Sequence, residues 1–255
     1  MNDPAQIFSL AGSTAFVTGA SGVLGAHFAR VLHSAGARVV LAARRTEALA
    51  GLAAELGERA TTAALDVTDP ASVARAFDTA EAGFGACDVV VNNAGIAVTK
   101  PVLQQTPEDW DKVLDVDLRG CFLVATEGAR RLVAAQKPGA IVNIASVLGR
   151  RVIPGVAGYT AAKAGLLHLT RQLAVELARH RIRVNALAPG YVETPINRDF
   201  FASEAGQAMV RRVPQRRLGQ VEDLTGPLLL LASPAGAHMT GATLVVDGGH
   251  SVNPL

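Results

Sequence analysis

TAFVTGASGVLG, residues 14–25, sets the fold of the chain, because an apolar, β-rich run passes directly into a glycine-rich turn. A segment of helical period, Leu24–Ala35, follows at once. Such a strand-to-helix turn lets the backbone approach a pyrophosphate, and the start of the helix supplies N–H donors and a positive dipole end. A bare tight turn in a glycine-rich chain is the alternative. The position of the turn, between the first strand and the first helix, favours a dinucleotide site.

The same alternation of apolar runs and amphipathic segments continues along the chain. The β-rich runs are Thr14–Thr18, Arg38–Ala42, Thr61–Asp66, Asp88–Asn92, Ala140–Ala145, Arg183–Leu187 and Thr243–Val246. Segments of helical period between them include Leu24–Ala35, Glu47–Leu56 and Pro70–Gly83, and Asp69 and Thr106 are predicted N-caps. Strands separated by helices cannot pair as hairpins, so we predict an α/β fold with a doubly wound parallel sheet and helices on both faces. Without a repeat or a linker, residues 1–255 are predicted to form one domain.

Composition excludes several classes of protein. Hydrophobic residues make up 49% of the 255 and charged residues 18%, which suits a large core rather than a disordered chain. The 24 basic and 22 acidic residues nearly cancel, which argues against a nucleic-acid partner. The two cysteines offer no disulfide framework, the six histidines show no metal-ligand spacing, and the first residues do not resemble a secretion signal. No apolar run approaches the ~20 residues of a membrane span, so we predict a cytoplasmic protein without a metal or a membrane partner.

An irregular segment, about residues 190–219, follows the sixth predicted strand. It contains Gly190, Pro195 and Gly219 around a short helix-like piece, Glu204–Arg212. A long connection at the carboxyl end of a parallel strand lies where such sheets bind ligands. We therefore predict a substrate lid here, with an inert surface excursion as the alternative.

Residues at the ends of the second and third strands indicate the nucleotide. A carboxylate after the second strand would accept a hydrogen bond from the adenosine ribose and repel a 2′-phosphate. The sequence instead has two arginines, of which Arg44 offers the planar fork that suits a phosphate. We therefore predict NADP(H) over NAD(H), against the alternative of a surface arginine pair. Asp66 and Val67 close the third predicted strand, and Asp66 is either a partner for the adenine amino group or a simple strand-end carboxylate.

Tyr159 and Lys163 are four residues apart in a segment of helical period. That spacing places both side chains on one helix face. An adjacent ammonium favours the phenolate and lowers the pKa of a tyrosine, as a proton donor to a carbonyl oxygen requires. Ser146, at the end of the fifth strand, either donates to the same substrate oxygen or caps the strand end.

Together these residues resemble the short-chain dehydrogenase/reductase family over nearly the whole chain. The motifs that occur in the order and spacing of that family are Thr18–Gly25, Asn92-Asn93-Ala94-Gly95, Ser146, Tyr159-x3-Lys163, Pro189-Gly190-Tyr191-Val192-Glu193-Thr194 and Asp247-Gly248-Gly249. The resemblance implies a Rossmann sheet of seven parallel strands and hydride transfer between a nicotinamide and a carbonyl or alcohol. It also implies that the helices around 107–134 and 159–178 pair in a homodimer or homotetramer.

The resemblance implies a role for each matching residue. Tyr159 would be the acid/base, Ser146 would polarise the carbonyl, and Lys163 would bind the nicotinamide ribose and lower the pKa of the tyrosine. The implied cofactor contacts are Gly19, Ser21, Gly22, Val23, Leu24, Gly25, Asn93, Ala94, Gly95, Pro189, Gly190, Val192 and Thr194. Val192 and Thr194 would contact the nicotinamide carboxamide, and Pro189 and Gly190 would shape its pocket.

Two positions depart from the family pattern. The usual turn reads T-G-x-x-x-G-x-G, which would place a glycine at Val23, whereas the middle glycine here is Gly22. A Cβ at residue 23 is expected to crowd the pyrophosphate or to shift the loop. Asp117 takes the place of a catalytic asparagine that helps to hold a water in a proton relay to the lysine. A carboxylate can accept from that water or pair with Lys163 but cannot donate, so we predict retained activity with a shifted pH profile.

The sequence thus predicts an NADP(H)-dependent carbonyl reductase or secondary-alcohol dehydrogenase. A 3-oxoacyl thioester reductase is the alternative within this class. A non-catalytic NADP(H) sensor is the alternative outside it, and the complete Ser-Tyr-Lys set disfavours that reading. The pocket candidates, mostly apolar, are Ile96, Val98, Leu148, Ile153, Tyr191 and residues 196–201. They favour a hydrophobic or aromatic ketone over a polyol, although Arg150 and Arg151 nearby suit an acidic substrate.

Overall fold

The computed structural model describes residues 4–194 and 197–253, and at its centre is one seven-stranded sheet. The strands are β1 (Thr14–Thr18), β2 (Arg38–Ala43), β3 (Ala60–Ala64), β4 (Val89–Asn92), β5 (Gly139–Ile144), β6 (Ile182–Pro189) and β7 (Thr243–Val246). Their spatial order is β3-β2-β1-β4-β5-β6-β7, and every neighbouring pair is parallel. The predicted doubly wound α/β sheet is confirmed.

The helices follow the strands along the chain. They are α1 (Pro4–Ile7), α2 (Val23–Ser34), α3 (Ala50–Leu56), α4 (Pro70–Phe84), α5 (Pro107–Leu114), α6 (Cys121–Ala134), α7 (Ala157–Leu177), α8 (Arg198–Ala202), α9 (Glu204–Val210) and α10 (Thr225–Ala232). A π-helical turn, Asp115–Gly120, joins α5 to α6. Short 3-10 turns occupy Glu47–Leu49, Gly57–Arg59, Val102–Gln104, Val147–Gly149, Ala178–His180, Val221–Leu224, Pro234–Gly236 and His250–Val252. In the part of the chain described, no helix is both long and apolar enough to cross a membrane.

The predicted caps start two of these helices. The Asp69 carboxylate accepts hydrogen bonds from the first backbone N–H groups of α4. Thr106 and Asp109 form a reciprocal capping box at α5. In contrast, the predicted helix 47–56 is wrong in its first turn, which is a 3-10 turn before α3 begins at Ala50.

The third strand is shorter than predicted. It ends at Ala64, so the prediction that Asp66 and Val67 close this strand is wrong. The physical reason is a local turn, since the Asp66 carboxylate accepts from the Thr68 N–H and the Asp66 N–H donates to the Ser72 hydroxyl.

Each face of the sheet carries its own apolar layer. Successive residues of a strand point to opposite faces, so Val17 of β1 packs with α2, α3 and α10, whereas Phe16 packs with α4, α6 and α7. The Phe16 ring stacks on the Phe77 ring of α4, with ring centroids 4.3 Å apart. These two layers fix the sheet, and the carboxyl ends of all its strands meet at one edge.

The strand order reverses between β1 and β4, which are hydrogen-bonded neighbours although β2 and β3 come between them in sequence. The connections that leave β1 and β4 lead to helices on opposite faces. A crevice therefore opens at the carboxyl ends of these two strands, where doubly wound sheets bind ligands.

Candidate active site

The turn after β1 and the loop after β4 are joined by hydrogen bonds across the crevice. Thr18 Oγ1 accepts from the backbone N–H groups of Asn93 and Ala94, each at 2.9 Å. The Asn93 side-chain amide in turn donates to the Thr18 carbonyl at 2.9 Å. A Cβ on Gly25 would lie 2.3 Å from the Gly19 carbonyl oxygen, so only glycine lets α2 start this close to the turn. The two predicted cofactor segments thus form one unit.

The first turn of α2 offers free donors. Among the described residues, the backbone N–H groups of Val23, Leu24 and Gly25 find no hydrogen-bond partner, and Gly22 provides no side-chain cap. Ser21 and Gly22 before them are exposed. Free donors at a helix N-terminus suit a pyrophosphate, so the chain fits a dinucleotide here. Val23 is itself the first helical residue and is 38% exposed, so the departure from the family pattern leaves the start of the helix intact.

The residues predicted to contact the adenosine lie beyond β2 and β3. Arg44 and Asp66 are both exposed. The pKa of the Asp66 carboxyl is lowered mainly by a hydrogen bond from the Thr68 N–H, and to a smaller extent by one from the Thr68 hydroxyl. The positive charge of Arg44 lowers it further. Val67, unlike Arg44 and Asp66, is buried. Its side chain packs so closely on Gly120 that a Cβ on this glycine would lie 2.8 Å from Val67 Cγ2. The side chain of Val67 therefore packs under the site, and only its backbone is left for a ligand.

The predicted catalytic side chains come from α7 and from the end of β5. Lys163 Nζ lies 5.5 Å from the centroid of the Tyr159 ring. This ammonium is 4% exposed and donates to the Ile144 carbonyl at 3.1 Å, which fixes it to β5. Ser146 Oγ accepts from the Leu148 N–H at 3.1 Å. Ser146 therefore caps a turn, and its own hydroxyl hydrogen is still free to be donated.

Asp117 lies in the π-helical turn and is fully buried. One carboxylate oxygen accepts from the Ile96 N–H at 2.7 Å, and the other lies 3.1 Å from Lys163 Nζ. Burial raises the pKa of Asp117, and the charge of Lys163 opposes that effect. Burial lowers the pKa of Lys163, but the contact with Asp117 outweighs it and holds this pKa above its usual value. The structure thus brings the two residues together as a buried ion pair, at a π-helical turn of the kind found at functional sites.

The predicted nicotinamide segment begins at the end of β6. Pro189 is the last residue of the strand, and a Cβ on Gly190 would lie 2.8 Å from Asp247 Cα. This close approach requires glycine and places the ends of β6 and β7 side by side. Val192 is buried and forms a parallel bridge with Gly219. The two ends of the predicted lid are therefore held together at the base of the segment.

The predicted lid itself contains α8 and α9. At its start, the Thr194 N–H donates to Asn197 Oδ1 at 2.8 Å. Within it, the Phe201 ring packs on the Tyr191 ring, with centroids 5.6 Å apart. Pro195 and Ile196, which belong to the predicted lid and pocket, lie outside the described residues.

Three loops and the C-terminal segment are tied together around the crevice. Lys100 donates its backbone N–H to the Gly155 carbonyl at 2.9 Å. The Arg151 guanidinium donates to the Asn253 carbonyl at 3.2 Å, and the Asn253 amide donates to the Arg212 carbonyl of the predicted lid at 2.7 Å. Large apolar side chains are exposed on these same segments, namely Val102, Leu103, Val152, Phe200 and Val252. The connected segments therefore carry exposed apolar side chains together with exposed charged ones such as Arg150.

The sequence interpretation missed a buried polar network that supports the site. Asn92 donates through its side-chain amide to Asn143 Oδ1 at 2.9 Å and to the Cys121 carbonyl at 3.1 Å. Asn143 donates to the Thr170 hydroxyl at 2.9 Å. The network connects β4, β5, α6 and α7, which frame the Asp117–Lys163 pair. Its signal in the sequence is an asparagine at or near the end of each of two apolar strands, VVVN and AIVNI.

Known proteins resemble the chain over almost its full length. A family profile described as enoyl-(acyl carrier protein) reductase matches residues 19–251. Gluconate 5-dehydrogenase of Gluconobacter oxydans (strain 621H) is 38% identical over 253 residues, which cover 97% of this chain and 98% of that protein. Cis-4-hydroxycyclohexanecarboxylate dehydrogenase of Sinomonas cyclohexanicum is 41% identical over 240 residues, or 93% of this chain and 96% of that protein.

The same holds for solved structures. A gluconate 5-dehydrogenase from Burkholderia cenocepacia J2315, solved in complex with NADP and tartrate, superposes with a TM-score of 0.93. It is 38% identical, and the match covers 98% of this chain and 99% of that one. The chain therefore resembles these dehydrogenases in both sequence and fold over almost its whole length.

Proposed function

Since the chain belongs to the short-chain dehydrogenase/reductase family, we propose that it transfers a hydride between NADP(H) and a ketone or secondary alcohol, with Tyr159 as acid/base. Membership makes the protein an oxidoreductase of alcohol or carbonyl groups. The observation that carries the finer proposal is the Tyr159–Lys163 pair on one face of α7, next to the turn that Ser146 caps.

Each side chain has a separate part in the reaction. During reduction, Ser146 Oγ donates a hydrogen bond to the carbonyl oxygen, and Tyr159 gives that oxygen its proton. The Lys163 ammonium, held by the Ile144 carbonyl, stabilises the phenolate that remains on Tyr159. Bound NADP(H) supplies the hydride in this direction and accepts it in the reverse. In alcohol oxidation the proton passes back to Tyr159.

The cofactor assignment rests on the donors around the crevice. The free N–H groups of Val23, Leu24 and Gly25 receive the pyrophosphate, and Lys163 reaches the nicotinamide ribose. Arg44 directly follows β2 and is exposed, at the position where a carboxylate would favour NAD(H). Arg44 receives the 2′-phosphate, so the protein prefers NADP(H) to NAD(H). The similar structure from Burkholderia cenocepacia, which contains NADP, supports this assignment.

We further propose a hydrophobic or aromatic ketone or alcohol rather than a polyol as substrate, because most of the predicted pocket residues are apolar, among them Ile96, Leu148 and Ile153. Binding pockets match their ligands mainly by apolar contact, with a few polar groups that fix orientation. Arg151 already donates to backbone carbonyls of the C-terminal segment, whereas Arg150 is exposed. Arg150 is therefore available to a substrate carboxylate, and the names of two similar dehydrogenases, of gluconate and of a hydroxycyclohexanecarboxylate, support testing acidic substrates.

The test follows nicotinamide absorbance with purified protein. NADPH and NADH are each paired with aryl ketones, alicyclic keto acids, 3-oxoacyl thioesters and keto sugars. We expect turnover with NADPH on the apolar ketones, and its loss in Tyr159→Phe while NADPH still binds by fluorescence. Tyr191→Phe removes the only other phenol and is the comparison variant; because Tyr191 is a predicted pocket residue, it is expected to change KM rather than to abolish turnover. Tight NADPH binding without turnover on any class would instead indicate a sensor, and an active Tyr159→Phe variant would refute the mechanism.

We also propose that the chain forms a single catalytic domain with a lid at residues 190–219. A separate proposal is a homodimer or homotetramer whose subunits pair through α5, α6 and α7. Large apolar side chains on these helices are exposed, including Trp110, Phe122 and Val175. Light scattering of the purified protein measures the oligomer, and Phe122→Lys is expected to shift it towards smaller species.

A further inference from the structure

Asp117 gives the buried Lys163 a counter-ion inside the site. Its side chain is 0% exposed, and Lys163 is 4% exposed. The carboxylate oxygens are fixed separately, one by the Ile96 N–H at 2.7 Å and the other beside Lys163 Nζ at 3.1 Å. A Cβ on Gly95 would lie 2.9 Å from the second oxygen, so the loop after β4 closes directly over the pair.

Few other charges face this pair among the described residues. The titratable groups around it are Tyr159 on α7 and Cys121 on α6. Burial raises the pKa of the Cys121 thiol to about 11, so this thiol is neutral at physiological pH. The ammonium beside the Tyr159 ring is therefore paired with one carboxylate, and the two charges sum to zero.

We propose that Asp117 is a positioning residue that acts through Lys163, opposing the ionisation of Tyr159 and moving proton transfer to higher pH. The ammonium, 5.5 Å from the Tyr159 ring centroid, favours a phenolate, and the Asp117 carboxylate 3.1 Å from the same ammonium works against that influence. The proposal rests on the proposed function, in which Tyr159 exchanges the proton.

The experiment titrates Tyr159 directly in the cofactor-free protein. The chain has only two tyrosines, so in a Tyr191→Phe background the phenolate absorbance reports Tyr159 alone. Asp117→Asn keeps the size of the side chain and an acceptor for the Ile96 N–H but removes the charge. We expect its phenolate to appear at a lower pH than with aspartate present, because the charge that opposes the ammonium is gone. Asp115→Asn, on the same π-helical turn and 51% exposed in its side chain, is the matched control and should not move.

Alcohol oxidation supplies a second readout. The acid limb of its pH profile should move in the same direction in Asp117→Asn and stay in place in Asp115→Asn. The proposal would be overturned if the phenolate of Tyr159 appeared at the same pH in the Asp117→Asn variant and in its parent. Thermal melting must show that both proteins are folded. If Asp117→Asn does not fold, Asp117→Ser removes the same charge with a smaller side chain and decides by the same criterion.

The two proposals can fail separately. Loss of turnover in Tyr159→Phe tests the proposed function, whereas the absorbance titration needs neither substrate nor cofactor. An inactive protein whose titration still shifts on Asp117→Asn would overturn the function and keep the electrostatic role of Asp117.

Discussion

Replacing Thr18 with valine tests whether the turn after β1 and the loop after β4 act as one unit. Thr18 Oγ1 accepts from the N–H groups of Asn93 and Ala94, each at 2.9 Å, and donates to the Val91 carbonyl at 3.4 Å. Valine keeps the shape of the side chain but cannot accept. Both N–H groups then lose their partner at the point where the two segments meet.

The magnitude follows from how deeply these donors are buried. A buried donor without a partner costs roughly 1–3 kcal/mol. Asn93 and Ala94 are only half-buried, so water replaces part of the loss, and we expect the free energy of unfolding to fall by about 2 kcal/mol for the pair. For a chain of this length that corresponds to a decrease of about 4–8 °C in Tm.

The assay combines thermal melting with NADPH fluorescence. The Kd for NADPH should rise in Thr18→Val, because the displaced loop carries Asn93, Ala94 and Gly95, which we propose line the cofactor cleft. Thr18→Ser is the matched control, since it retains the hydroxyl and should melt and bind close to the parent. A valine variant that behaves like the serine variant in both assays would refute the reasoning.

Two further predictions concern the ends of the site. Arg44→Ala should raise the KM for NADPH at least about tenfold, the loss of one charged hydrogen bond, and leave the KM for NADH unchanged, with Arg45→Ala as the control in steady-state kinetics. Burial would raise the pKa of Asp247, but hydrogen bonding from the Ser251 side chain, from the Ser251 N–H at 2.6 Å and from the Gly249 N–H at 2.8 Å outweighs it and lowers this pKa. The stability that this carboxylate contributes is therefore present above the usual carboxyl range and lost as the pH falls through the lowered value. Urea unfolding should show Asp247→Asn about 1 kcal/mol less stable at neutral pH and equal to the parent in acid.

Sequence periodicity was enough to predict the sheet because five of the seven strands are apolar runs buried on both faces, whereas β3 and β7 are only partly buried. The seven predicted strands occur at the predicted places, β1 and β7 with the predicted ends and the others with ends that differ by at most two residues. Where a side chain forms a local turn, periodicity gave the wrong boundary. Asp66 looks like the last residue of a strand, yet its carboxylate bonds to Thr68 and the strand stops at Ala64.

The site was predictable as a set of residues and less so as a set of contacts. Helical spacing alone places Tyr159 next to Lys163. The contact of Lys163 with Asp117 depends on how α5, the π-helical turn and α7 pack, and no pattern in the sequence fixes that distance. The acceptor role of Thr18 is similar, because it follows from the pairing of β1 with β4 across two intervening strands.

The two departures from the family pattern fit the fold for different physical reasons. Val23 is the first residue of α2 and is 38% exposed, so the fold does not have to bury its side chain in the core. Asp117 is fully buried, where an unpaired carboxylate would be strongly destabilising. It fits because Lys163 is already buried 3.1 Å away and the Ile96 N–H satisfies its other oxygen. Lys163 consequently contacts both the Asp117 carboxylate and the Tyr159 ring, so on our proposal the removal of the charge at residue 117 acts on Tyr159 through the ammonium.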